Sequence, residues 1–231
     1  MGRTLIILTY NELEGVKSLF DKIPIEKVDE YFVIDGNSKD GTLEYLKERR
    51  IPVIIQDEPG RGVAFKIGVE NAKNNNVVFF SPDGNESPED IEKIFQLLEE
   101  GYDLVIASRF LPGARNEEDD SLFPIRAWVN KIFTLIANLL WNRGKYITDT
   151  INGYRGIKKD VFKILNLDAK GFTIEYQMTI RAMKLKLKII EIPTYEGNRI
   201  GGKTKAKSIP TGITFVKMLI KEIFIGNKFY S

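Results

Sequence analysis

The apolar run Val77, Val78, Phe79, Phe80 stops abruptly at Ser81, Pro82, Asp83, Gly84 and Asn85, and this junction holds the most chemically suggestive pair of side chains. On an extended segment alternate positions face the same way, so Asp83 and Asn85 can direct two oxygens at one hard divalent ion. The same spacing also suits an Asx-turn, in which both side chains bond only to nearby backbone. Two other apolar runs close on polar residues in the same manner, one at Thr9, Tyr10, Asn11 and Glu12, the other at Asp35, Gly36, Asn37 and Ser38. The chain has no histidine and no cysteine. That removes the commonest general base, thiolate chemistry and disulfides. Metal or acid-base work falls to carboxylates, amides and hydroxyls, a set that favours Mg2+ or Mn2+.

The cations offer a second set of candidates. Arg109 follows another apolar run, where a charged side chain points either to a ligand or to a rim salt bridge. Arg199 and Lys205 flank Gly201 and Gly202, giving two charges able to close over phosphate oxygens, or simply a solvated basic loop. Arg126 stands at the start of a long apolar helical pattern. Gly60 and Gly62 let the backbone bend close to a ligand before a helix opens, although an ordinary turn into a helix uses glycine equally well.

The elements that must position these residues read as strands at 4–8, 31–35, 53–56, 77–81 and 104–107, alternating with helices at 13–22, 42–50, 62–74 and 89–99. That alternation predicts an α/β fold with a mostly parallel sheet flanked by helices, and ligands bind such sheets beyond the carboxyl ends of the strands. After Phe110 the texture changes. An acidic tract at 117–120 reads as an exposed loop, 123–141 and 213–225 read as amphipathic helices, and 197–212 as a flexible loop. With 231 residues, 43% of them hydrophobic, one domain spanning 1–231 is expected, divided into halves at 1–110 and 111–231. The 34 basic and 32 acidic side chains leave a formal charge of +2, which gives no global case for nucleic-acid binding. Lys131, Lys217 and Lys221 interrupt the longest apolar stretches, and the start of the chain lacks the pattern of a signal peptide. Neither secretion nor a transmembrane helix is expected.

Taken in order, Thr9 to Glu12, Asp35 to Thr42, Gly60 to Ala64, the Asp83 turn, Ala107 to Phe110, Asp149 to Arg155 and Arg199 to Lys205 resemble the motif series of family 2 glycosyltransferases with the GT-A fold. The resemblance covers nearly the whole chain and is specific to the branch of dolichyl-phosphate mannose and glucose synthases. It implies a nucleotide-sugar-binding half over 1–110 and an acceptor-binding half over 111–231. It further implies that Tyr10, Asn11, Glu12 and Asp35 surround the nucleoside, that Ser81 and Pro82 lie beside ribose and diphosphate, and that Asp83 and Asn85 hold Mg2+ or Mn2+. Arg109 and Arg126 are expected on the substrate, with Asp149, Arg199 and Lys205 joining Asp83 in catalysis. Two positions depart from the pattern. Ser81 stands where the family has the first aspartate of its acidic pair, and Gly36 replaces the second residue of an Asp-Asp pair.

The implied reaction is inverting transfer of a hexose from a GDP- or UDP-sugar. A phosphate acceptor is largely ionised near neutrality and needs no strong protein base, whereas a hydroxyl acceptor would call on Asp149 or Glu175. Trp128, Trp141, Arg126, Lys131 and Arg143 on or beside the 123–141 helix suit a membrane surface, so the expected acceptor is a polyprenyl (dolichyl-type) phosphate met at the cytoplasmic face by a peripheral enzyme. A sugar nucleotidyltransferase is the first alternative, but the Gly-rich, Arg-containing loop it needs after strand one is replaced by Tyr10, Asn11 and Glu12. The second is a non-catalytic nucleotide-sugar or lipid-binding module, suggested by Ser81 and Gly36.

Overall fold

The computed structural model describes residues 2–121, 123–201 and 208–230. Its first half follows the expected alternation: β1 (Arg3–Thr9), α1 (Leu13–Leu19), β2 (Glu30–Asp35), α2 (Thr42–Glu48), β3 (Val53–Ile55), α3 (Arg61–Asn71), β4 (Asn76–Phe80), α4 (Asp90–Glu99) and β5 (Leu104–Ser108). The helix expected over 13–22 stops early and tightens into a 3-10 turn at Phe20–Lys22. Its stop lies just ahead of Pro24, whose ring disfavours helical backbone at the preceding residue, and Ile23 is indeed extended. The second half supplies α5 (Ile125–Trp141), β6 (Arg155–Lys158), α6 (Lys159–Ile164), α7 (Ile174–Lys184), β7 (Ile189–Pro193) and α8 (Ser208–Ile225).

The sheet runs β3-β2-β1-β4-β6-β5-β7. Only β6 is antiparallel to its neighbours, so the carboxyl ends of β1, β2 and β4 share one edge. Register aligns Thr9 with Asp35 at that edge, and Ile7 with Phe80. Strand residues alternate between two apolar layers. Ile6, Phe32, Phe79 and Ile106 face α3, α5, α6, α7 and α8, while Leu5, Val33, Phe80 and Val105 face α1, α2 and α4. Burial on both faces is why these strands read as continuous apolar runs. The result is the expected α/β, GT-A-like arrangement of a mostly parallel sheet between helices.

The two long helices of the second half both pack on α7. Phe215 of α8 sits with ring centroids 5.4 Å from Phe133 of α5 and 5.5 Å from Tyr176 of α7. Glu222, fully buried in α8, pairs with Arg181 at 2.8 Å and Lys184 at 2.7 Å, which fixes how the helix is rotated. Each helix leaves an apolar face exposed: Trp128, Ile132 and Leu139 on α5, and Ile213, Ile220 and Phe224 on α8. Among the described residues no helix is long and apolar enough to cross a membrane.

Candidate active site

The turn after β4 places Asp83 and Asn85 together, and the Asx-turn alternative is present too: the Asn85 backbone N–H donates to Asp83 Oδ1 at 3.1 Å. That bond leaves Asp83 Oδ2 for the Arg199 guanidinium at 2.8 Å, and the same guanidinium bonds Glu12. Residues 197–200 lie along the turn, with the Ile200 N–H donating to the Asp83 carbonyl at 2.7 Å. Asn85 Nδ2 donates to Glu117 at 2.9 Å and to the Gly197 carbonyl at 2.8 Å, so its amide oxygen is turned the other way. Ser81 and Pro82 are buried at the base of the turn. The Ser81 N–H donates at 2.6 Å to Glu86, a residue absent from the sequence-based site. Burial, and then the negative charges of Asp83 and Glu175, push the Glu86 carboxyl up to about 8 against the pull of Arg61.

Arg61 is the other residue that sequence reasoning missed. It opens α3, bonds Glu175, approaches Ser81 Oγ at 3.4 Å and lies 4.0 Å from Glu86. It crosses Gly153, where any side chain would collide with the guanidinium. The expected close approach of Gly60 and Gly62 to a ligand is instead an approach to the 169–170 backbone: the Gly62 N–H donates to the Lys170 carbonyl at 2.9 Å, and a Cβ at either glycine would clash there. The glycines thus seat α3, and the arginine between them reaches the site. Beneath it, fully buried Arg155 donates to the Glu175 carbonyl at 3.0 Å and to Thr179 Oγ1 at 3.1 Å. Burial lowers its pKa to about 10, still far above neutrality.

At the ends of β1 and β2 the expected nucleoside residues form an adjoining wall. Tyr10 is half exposed over Gly36. Asn11 ties the two loops together, its N–H donating to Ser38 Oγ at 2.8 Å and its Oδ1 accepting from the Lys39 N–H at 2.7 Å. Asp35 is fully buried, with its carboxylate accepting from Thr9 Oγ1 at 2.6 Å, the Ser38 N–H at 2.7 Å and Ser38 Oγ at 2.8 Å. These bonds make Asp35 the brace of the 36–41 loop in this state, with Tyr10 the group presented to solvent.

A cavity of about 320 Å3 opens from the turn toward the second half. Arg61, Asp83, Arg199, Arg109 and Arg126 line it, together with the apolar side chains of Val129, Phe133 and Phe215. Arg109 pairs with Asp149 at 2.8 Å and Glu196 at 3.2 Å; burial opposes its charge, but the two carboxylates outweigh that and keep it protonated. Asp149, the expected base, is fully buried, does not line the cavity, and caps the Asn152 N–H at 3.0 Å. Glu175 does line it. Arg126 bonds Glu117 and Glu118, which brings that part of the acidic loop to the cavity lining while Asp119 and Asp120 stay exposed as expected. Lys205 lies outside the described residues.

The donor set suits a hard divalent ion held jointly with a diphosphate. Asp83 and the amide oxygen of Asn85 stand on the turn, yet among the described residues no three acidic side chains converge as a self-sufficient metal cage. Mg2+-type ions are commonly bound in this partial way, by one or two carboxylates with phosphate and water completing the shell.

Residues 4–165 match the family described as Glycosyl transferase family 2. Glycosyltransferase AglJ of Haloferax volcanii is 31% identical over 218 residues, covering 91% of this chain and 68% of that protein. Dolichol-phosphate mannosyltransferase of Pyrococcus furiosus is 27% identical over 216 residues, 90% of this chain but 60% of that longer protein. Among solved structures, glucosyl-3-phosphoglycerate synthase from Mycobacterium tuberculosis, in complex with Mn2+, UDP and glucosyl-3-phosphoglycerate, superposes with a TM-score of 0.74 at 19% identity, over 95% of this chain and 79% of that one. At that identity the likeness concerns the fold.

Proposed function

The chain belongs to glycosyl transferase family 2, and we propose that it moves a hexose from a nucleoside-diphosphate sugar, with UDP favoured over GDP as the carrier, to a polyprenyl phosphate at a membrane surface. Family membership sets aside the sugar nucleotidyltransferase. The observation that carries the proposal is the continuity of the cavity, which joins a turn suited to a metal diphosphate with the apolar wall between α5 and α8. The preference for UDP rests on the nucleotide bound by the glucosyl-3-phosphoglycerate synthase, and the lipid acceptor on the activity named for the Pyrococcus relative.

In this reading Tyr10 stacks on the base while Asn11 and the Asp35-braced loop shape its pocket. Mg2+ or Mn2+ at Asp83 and Asn85, when bound, neutralises the departing diphosphate. Arg199 and Arg61 add guanidinium donors on the same side, and Lys205 supplies a further charge for the phosphates. Arg109, held rigid by Asp149 and Glu196, lends positive potential to the cavity. Arg126 meets the acceptor phosphate, which takes it from the partly exposed Glu117 and Glu118 pairs; such pairs are worth only about 0–1 kcal/mol. The acceptor oxygen is already ionised and attacks the anomeric carbon without a protein base. The exposed residues of α5 and α8 seat the polyprenyl chain and the membrane face, flanked by Lys131 and Arg143.

A second reading is favoured by Glu175, a carboxylate that does line the cavity: it would serve as base for a hydroxyl acceptor, such as the phosphoglyceric acid bound in another complex of the glucosyl-3-phosphoglycerate synthase. Steady-state transfer by Arg126→Ala separates the two. The lipid reading expects the KM for a short polyprenyl phosphate to rise roughly tenfold or more, the worth of one charge-assisted contact, with UDP affinity unchanged. Transfer to a soluble phosphorylated hydroxyl acceptor that is abolished by Glu175→Gln and indifferent to Arg126→Ala would establish the second reading instead.

A further inference from the structure

Ser81 stands where the family resemblance expects a carboxylate at the end of β4, but the structure brings another carboxyl group to the Ser81 backbone. Glu86, five positions on, folds back beneath the Asp83 turn until its carboxyl group accepts the Ser81 backbone N–H at 2.6 Å. Its side chain is only 10% exposed, and it lines the cavity beside Ser81, Asp83 and Asn85. Arg61, the guanidinium nearest to it, lies at 4.0 Å and gives its Nε to Glu175.

Resting on the donor reading above, we propose that Glu86 is the second carboxylate of the metal-diphosphate site, taking the part that the side chain at position 81 cannot play. Glu86, Asp83 and the amide oxygen of Asn85 would together hold the cation, with Glu86 supplying the second negative charge. A serine at 81 is tolerated because the charge has been moved along the chain and not lost. Glu117 complements the arrangement by holding the Asn85 nitrogen away from the cation.

Binding of Mn2+ in the presence of UDP or GDP, read from the electron paramagnetic resonance of the free ion, tests this directly. Glu86→Gln keeps an acceptor for the Ser81 N–H while deleting the charge, and should weaken Mn2+ binding about tenfold or more, the loss of one charged ligand. Ser81→Asp combined with Glu86→Gln puts the charge back on β4 and should recover affinity to within about threefold of the wild type. Glu89→Gln, at an exposed neighbour, should change nothing. A Glu86→Gln protein that binds Mn2+ as the wild type does, or a folded double variant no tighter than Glu86→Gln, overturns the proposal. Wild-type protein that binds no Mn2+ with either nucleotide refutes the donor reading and the proposal together. Should the variants fail to fold, substoichiometric Mn2+ added with UDP to wild-type protein carrying 13C-labelled glutamate decides the matter: selective broadening of the Glu86 carboxyl signal supports the assignment, and its absence overturns it.

Discussion

Asp149 was the leading catalytic base on sequence grounds, and its surroundings turn that role into a sharp prediction about Asp149→Asn. The carboxylate is fully buried and takes Nε and Nη2 of Arg109 at 2.8 and 3.1 Å together with the Asn152 N–H at 3.0 Å. The substitution preserves size but turns a neutral amide toward a buried guanidinium. Breaking a buried pair on one side costs about 3–5 kcal/mol, and because Arg109 keeps Glu196 at 3.2 Å the lower end, about 3 kcal/mol, applies. For a domain of this size each kcal/mol moves Tm by roughly 2–4 °C, so a fall of about 6–12 °C is expected. Circular dichroism melts give that shift, and turnover is then measured well below both midpoints. At that temperature the folded variant should keep at least about a tenth of wild-type turnover, short of the 100-fold or greater loss that removal of a general base produces. An unchanged Tm with turnover reduced about 100-fold or more would refute the reasoning and restore Asp149 as the base.

Glu222→Gln should be comparably costly, by about 3–5 kcal/mol, because it strands Arg181 and Lys184 in the α7–α8 interface; faster amide exchange along α8 would accompany the loss in urea titrations. Since burial holds the Glu86 carboxyl near 8 in the folded chain against an ordinary value near 4.5, its contribution is fully present below about pH 4.5 and is lost as pH rises through 8. With metal chelated, wild-type stability should fall across that window by at most about 1.4 kcal/mol per pH unit, and Glu86→Gln should show a shallower slope; parallel profiles would contradict this. Trp128→Glu with Phe224→Glu alters side chains 53% and 83% exposed, so Tm should stay within a few degrees while co-sedimentation with anionic vesicles drops severalfold.

The first half of the fold was legible because β1, β2, β4 and β5 are largely buried on both faces and α4 carries a clear apolar stripe. The second half was less so. Every residue of α7 from Ile174 to Met183 is buried, which erases the amphipathic period, and β6 begins with Arg155, a charge that reads as surface until its partners at Asn152, Glu175 and Thr179 are seen. The site divides in the same way. Asp83, Asn85 and the ends of β1 and β2 sit where topology places ligands, so local pattern was enough to single them out as candidates. Arg61 was visible only as the residue between two glycines, and Glu86 as part of a polar loop. Their importance comes from chain reversal, which no spacing rule encodes. Arg109 and Asp149 were both singled out, but forty residues of separation hid that they bond each other, and that the carboxylate serves the arginine.

The central claim is that this chain transfers a sugar to a lipid phosphate, and radiolabelled UDP-glucose offered with Mn2+ to vesicles containing a polyprenyl phosphate tests it most directly, with GDP-mannose as the parallel donor. The expected result is label entering the organic phase from one of these donors, dependent on both metal and lipid phosphate and lost in Asp83→Ala. Label that stays in the aqueous phase with both donors, or that passes only to a soluble phosphorylated hydroxyl acceptor, would contradict it.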